Sequence, residues 1–322
     1  MYPSGGATIR ADINAVVEEA SAADTFHIGA LVMPPLGVSA KSGTYPKIDI
    51  AGGALLDAVA TERAASGSYG EVSRKWGTDT YDCVDRGLEE AVDDAEARDL
   101  ARYFNAELTA ARLTLRNMRL AHEVRVAAAI MNTSNFGSGT NSAVAYTAAN
   151  LATIDFAQDV LAAIDRVEDN AVQVNTIVLS KAVLTRLALS TKLQNWVRGQ
   201  LKGNGDMPMN AANIAASFAD YGITRVLVGR ARQNTAKKGA AKSVSQIWGN
   251  TYVWVGNVNP NASMAQDGGA GFTLYWNQEG GVFVSETYRN ENRRSTMVRV
   301  RQNTAEKVVD GTSGTLITTQ YS

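Results

Sequence analysis

The sequence predicts an α+β fold, and three observations carry that prediction. Residues 88–136 contain neither Gly nor Pro and are bounded by Gly87 and Gly137. Within them Val92, Leu100, Phe104, Leu108, Ala111, Leu115, Met118 and Ala121 recur mostly at three- and four-residue steps, while Glu96, Arg102, Glu107, Arg112, Arg116 and Arg119 fill other faces. That is one apolar stripe at helical period, and a helix over residues 94–131 would be roughly 55 Å long. Residues 151–260 then alternate helical and strand patterns, as an α/β or α+β body does. Finally Phe272, Leu274 and Trp276, then Val282 and Val284, then Val298 and Val300 alternate at period two, which predicts antiparallel strands, the middle pair joined near Gly280 and Gly281.

In chain order, residues 1–41 read as an arm with a helical stretch at 11–22, interrupted afterwards by Gly29, Pro34, Pro35 and Gly37. Residues 42–86 are glycine-rich and poor in apolar material. Such a stretch is either disordered or an excursion whose burial partners lie elsewhere, and two β-prone pieces, 45–50 and 69–76, favour a projecting two-stranded hairpin. After the long helix and a polar loop at 137–150, Phe156, Val160, Ile164 and Val167 mark a second amphipathic helix with Asp155 as its cap. The body continues with a strand at 174–179, a helix at 181–201, a helix at 213–221 and strands at 224–229 and 251–255. Residues 229–245 form a basic surface loop carrying Arg230, Arg232, Lys237, Lys238 and Lys242. No internal repeat at a fixed period is present.

Composition excludes several classes of function. The 322 residues are 45% hydrophobic and 20% charged, with Lys+Arg 31 against Asp+Glu 32 and a net charge of −1, so no overall field draws the molecule to nucleic acid or an acidic membrane. Cys83 is the only cysteine, which rules out an intrachain disulfide and a cysteine-rich metal site. No apolar run is long enough to span a membrane, and the N-terminus lacks the basic start of a signal peptide. The two histidines, His27 and His122, stand far apart with no ligand-spaced companion. The phosphate-binding, dinucleotide-binding, nucleophile-elbow and zinc-binding motifs are absent. Glu89 with Glu90, and Asp93 with Asp94, suit the positive end of a helix better than acid–base chemistry. The sequence therefore predicts neither an enzyme nor a cofactor or metal site.

The order of parts resembles the major capsid proteins of tailed double-stranded DNA phages. The residues that carry the likeness are TDTYDCVDRGLEEAVDDAEARDLARYF at 78–104, NTIVLSKAVLTRLA at 175–188, DYGITRVLVGRARQNTAKKG at 220–239 and IWGNTYVWVGNVNP at 247–260. The resemblance implies an HK97-like capsid fold. Residues 1–41 would be the N-terminal arm, 42–86 an extended loop lying over the neighbouring subunit, 87–147 with 261–322 a peripheral domain holding the long spine helix, and 148–260 an axial domain. It further implies a shell of pentamers and hexamers in a virion, assembled in the host cytoplasm, with a portal protein and double-stranded DNA packaged without sequence specificity. Met1 stands almost directly before the arm, which favours a separate scaffolding protein over a cleaved leader. Inter-subunit contacts would involve Ile48, Arg63, Tyr69, Arg74, Trp76, Arg112, Arg230 and Lys237. Some members join subunits by Lys–Asn isopeptide bonds; Lys41, Lys47 and Lys75 lie near the loop, but no pattern assigns an acceptor or a base. An encapsulin-type compartment, a soluble enzyme with no recognised motif and a ring-forming tail or neck protein stay open as alternatives.

Overall fold

A computed structural model of the chain describes residues 7–22, 26–48, 61–63, 67, 69, 76–201, 208–261 and 269–322. The arm supplies α1 (Ala11–Ala22), α2 (Gly29–Val32) and β1 (Pro35–Val38). A hairpin, β2 (Ser42–Ile48) with β3 (Trp76–Asp82), leads into β4 (Val84–Asp93), α3 (Asp94–Leu100) and α4 (Ala106–Ile130). Then come β5 (Ser138–Asn141), α5 (Phe156–Glu168), β6 (Thr176–Ser180), α6 (Lys181–Ala188), α7 (Thr191–Leu201), α8 (Ala211–Ser217) and β7 (Arg225–Gly229). The chain closes with β8 (Arg232–Asn234), β9 (Val244–Gln246), β10 (Tyr252–Gly256), β11 (Gly271–Trp276), β12 (Val284–Asn290), β13 (Ser295–Val308) and β14 (Gly314–Thr318).

Two five-stranded sheets organise the described residues. The first is built on β13. Along one edge β13 pairs antiparallel with β4 over residues 295–304, and along the other with β12 over 295–301 and then β11 over 304–308, beyond which β1 adds in parallel. The second has the order β5-β14-β10-β6-β7, with β6 and β7 parallel and β10 antiparallel to both β6 and β14. α4 spans both. Its N-terminal half sets Ala111, Leu115 and Met118 against Ile13 and Val17 of α1 and Val298 and Val300 of β13. Its C-terminal half sets Val126 and Ile130 among Val178, Trp248, Trp254 and Leu316 of the second sheet's side. The other face of that sheet is covered by α5, whose Phe156, Val160, Ile164 and Val167 are buried as their spacing predicts. Close packing at this level demands small residues: a Cβ on Gly229 would lie 2.2 Å from the Trp248 ring.

Several expectations are corrected. The predicted long helix is two helices, and the residues before it are a strand. Asp93 Oδ1 accepts from the amides of Ala95 and Glu96, starting α3; Asn105 Oδ1 accepts from the Leu108 amide, starting α4 afresh. At 25 residues α4 is roughly 37 Å long rather than 55 Å. The stripe also shifts, because the break changes the angular register. Phe104 sits in the interruption and is 44% exposed, Ala121 is exposed, and Leu100 and Leu108 are half-buried. The buried line runs instead through Leu115, Met118, His122, Val126 and Ile130. Residues 88–93 belong to β4, held by ten register pairs with β13 from Ser295↔Asp93 to Thr304↔Val84. The strands either side of Gly280 and Gly281 are not partners: β11 pairs with residues 304–308 of β13 and β12 with residues 295–301. The helix predicted over 181–201 divides at Ser190, whose carbonyl starts α7 and whose hydroxyl donates to the Ile154 carbonyl. The second strand of the excursion is 76–82, later than the predicted 69–76; residues 71–75 lie outside the described residues, and Tyr69 is not in a strand.

Candidate assembly surfaces

The hairpin of β2 and β3 runs in register from Ser42↔Asp82 to Ile48↔Trp76. Its base is fixed to its own subunit. Tyr45 is buried and donates its hydroxyl to Asp79 Oδ2 at 3.2 Å, and Lys307 Nζ on β13 donates to Asp79 Oδ1 at 3.0 Å. Burial pushes the Asp79 carboxyl up, yet the hydrogen bonds from Lys307 and the Thr80 amide outweigh it and hold it below the usual range. The same burial, with the Asp79 charge beside it, pushes the Tyr45 phenol up. Cys83 closes the base as a buried free thiol, its amide donating to the Lys41 carbonyl.

Of the residues expected at inter-subunit contacts, the structure brings some together. Ile48 and Trp76 are the outermost described pair of the hairpin ladder. Arg63 places its guanidinium 4.9 Å from the Tyr69 ring centroid, a cation–π contact on a ring that is 72% exposed. Arg74 lies outside the described residues. Arg112 is exposed on α4, away from the buried line. Arg230 and Lys237 are exposed at the far end of the second sheet, one before β8 and the other in the turn between β8 and β9. Lys41 is exposed and Lys47 half-buried, while Lys75 lies outside the described residues.

A carboxylate that the sequence reading passed over joins three parts of the chain. Glu123, 1% exposed on α4, accepts from the amides of Ile28 at 3.0 Å and Gly29 at 2.6 Å, and from Trp248 Nε1 at 2.5 Å. It pins the arm and the second sheet's margin to the helix that carries it. Its neighbour His122 is also buried, with Nε2 3.0 Å from Thr273 Oγ1 and 3.9 Å from Glu306 Oε1. Burial holds the imidazole neutral, with a pKa lowered to about 4, although Glu306 opposes the shift. Glu306 takes a hydrogen bond from Arg125 Nη2 at 3.0 Å; burial raises its pKa, and the Arg125 contact more than reverses that. A second buried carboxyl, Asp159, accepts from Ser142 Oγ at 2.6 Å and Tyr146 OH at 2.7 Å, and burial raises its pKa. Among the described residues no group of three or more His, Cys, Asp and Glu is placed to hold a metal ion, and no helix is long and apolar enough to cross a membrane.

One margin of the first sheet is β4. It pairs with β13 on one side only among the described strands, and every residue but Arg86 and Val92 is exposed, including Val84 and Leu88. Asp85, Glu89, Glu90 and Asp93 lie along it, the kind of charge that keeps an edge from pairing indiscriminately.

This architecture, a helix bridging two sheets with an arm and a hairpin at its margin, is the HK97-like fold of phage capsid proteins. Comparison with solved structures gives the same result over the whole length. A phage-related protein from Bordetella bronchiseptica matches with a TM-score of 0.70 at 21% identity, covering 98% of this chain and 98% of that one. The capsid of the cyanophage P-SCSP1u matches with a TM-score of 0.57 at 10% identity over 90% of this chain and 86% of that one. A virus-like particle from Pyrococcus furiosus matches with a TM-score of 0.52 at 9% identity over 94% and 96%. No protein-family model matches the chain, and no curated protein matches its sequence.

Proposed function

We propose that this protein is a major capsid protein that self-assembles into an icosahedral shell around double-stranded DNA. The observation that carries the reading is the fold match over nearly the full length of both chains to a phage-related protein and to a cyanophage capsid. In this reading residues 87–147 with 261–322 form the peripheral domain and 148–260 the axial domain. The hairpin that opens residues 42–86 crosses to a neighbour, with Arg63, Tyr69 and Arg74 in its contact. Pentamers and hexamers form the shell, a portal occupies one vertex and a separate scaffolding protein guides closure. The chain's role is structural, without catalysis. A near-zero net charge suits a wall that must neither hold nor repel the packed polymer strongly.

Electron microscopy of the purified protein, expressed alone and with candidate scaffolds, tests this reading. The expected outcome is closed shells that protect nucleic acid from nuclease. A compact monomer under all conditions would overturn it. The virus-like particle from Pyrococcus furiosus shares the fold, and a second reading, an encapsulin-type compartment, predicts shells that carry protein and no nuclease-resistant DNA.

A further inference from the structure

We propose that the second sheet carries a head-to-tail contact between copies of this chain, in which the basic end of one copy seats against the acidic end of the next. The inference rests on the shell reading and supplies it with a defined interface. β6 and β7 run parallel, with β10 antiparallel beside them, so the sheet has two chemically distinct ends. At the carboxyl ends of β6 and β7 opens a crevice of about 440 Å³, lined by Lys181, Thr185 and Arg186 of α6, by Arg232 and Gln246 of the β8–β9 hairpin and by Tyr321. From residue 226 to residue 266 the sequence holds no Asp or Glu, while Arg230, Arg232, Lys237, Lys238 and Lys242 supply five cations. Arg186 is engaged with Tyr321 and the Tyr146 carbonyl. Lys181, Arg230, Arg232, Lys237, Lys238 and Lys242 are exposed and make no ion pair among the described residues.

The opposite end of the same strands holds a second crevice, of about 910 Å³. It lies where β6 and β7 begin and β10 finishes, lined by Asp165 and Glu168 from the last turns of α5, Asp220, Asn175, Asn257 and Asn259. Its three carboxylates are exposed and form no ion pair among the described residues. Arg225, the cation nearest in sequence to Asp220, is turned onto Thr176 Oγ1 at 3.0 Å. One rigid sheet therefore presents a cationic crevice with a basic hairpin at one end and an anionic, amide-lined crevice at the other.

Surfaces of opposite sign at opposite ends cannot pair isologously; they join copies head to tail, and such a contact closes into a ring when its rotation divides the circle. Each exposed ion pair is weak and salt-sensitive, so the contact works through repetition around the ring. A second copy is the occupant the charges favour, because both complementary surfaces occur on this chain. A polyanion would meet only the basic end and leave the acidic crevice unexplained.

The test is a charge swap. Lys237→Glu with Lys238→Glu, and separately Asp165→Lys with Glu168→Lys, should each remain folded by circular dichroism and thermal melting. Each should lose the fast-sedimenting assembly that the wild-type protein forms at low salt. The four substitutions combined in one chain should restore it. If both double variants assemble as the wild type does, or if the combination rescues nothing, the head-to-tail contact is wrong while shell formation stands. Rings or tubes that obey the swap without closed shells would keep the contact and remove the shell reading. A Lys237→Glu, Lys238→Glu protein that assembles normally but loses bound nucleic acid would assign the hairpin to a polyanion and overturn the proposal.

Discussion

Glu123 accepts from three protein donors, which makes it the residue on which the arm depends. Replacing it with Ala leaves the Ile28 and Gly29 amides and the Trp248 indole without an acceptor inside the protein. The expected loss is on the order of 3–6 kcal/mol in denaturant unfolding, with faster hydrogen exchange at Ile28 and Gly29. Glu123→Gln should lose less, because one acceptor oxygen remains. His122 gives the fold a pH dependence of defined sign. Its pKa falls from 6.5 to about 4 on folding, so below about pH 6.5 the unfolded chain binds a proton that the folded one refuses, and stability drops as pH falls toward 4, by at most about 3 kcal/mol. Melting temperatures at pH 7 and pH 5 should therefore converge in His122→Asn relative to the wild type; an unchanged slope would assign the effect to other groups. Neither role was legible in the sequence. A Glu and a His on a charged helix read as solvent-facing or as one more core residue, and the reason for Glu123 lies 125 positions away at Trp248.

At the level of elements, what could be read was whatever local chemistry decides. The helix α5 and its Asp155 cap follow from the sequence, and Asp155 Oδ1 does accept from the Gln158 amide. The break between α3 and α4 shows that the absence of Gly and Pro does not by itself make a helix continuous. The signals that end one helix and start another were present as Asp93 with Glu96 three residues on, and as Asn105. β4 was illegible for a different reason: its Glu-rich sequence has little strand preference, and the partner that makes it a strand begins two hundred residues later at Ser295. The corrected stripe makes a clear prediction. Leu115→Ala should destabilise by ~2–5 kcal/mol, because it opens space between α1, α4 and β13. Phe104→Ala should stay within about 0.5 kcal/mol, as exposed positions usually do. Arg112→Asp should also leave the melting temperature nearly unchanged, so if it abolishes assembly, the outer face of α4 is an interface. Equal losses for Leu115→Ala and Phe104→Ala would mean that the buried line is drawn on the wrong face.

At the level of the molecule, the hairpin base and its outer residues should separate in function. Tyr45, Asp79 and Lys307 hold the base to the first sheet, so deleting residues 51–70 should leave the circular dichroism spectrum and melting temperature close to wild type. The same deletion should stop assembly, read as loss of fast-sedimenting material, and a deletion that unfolds the protein would place that segment in its own subunit's core. The order of strands has a consequence in time. β1 waits for β11, and β5 pairs with β14, which in turn fills the gap between β5 and β10. A ribosome must therefore have translated past residue 308 before the first sheet can be complete and past residue 318 before the second can, since β13 and β14 are the last strands of each to emerge. Chains whose synthesis has not passed β14 lack the finished ends of the second sheet, so contacts between copies through those ends can form only after the last strands of both have emerged.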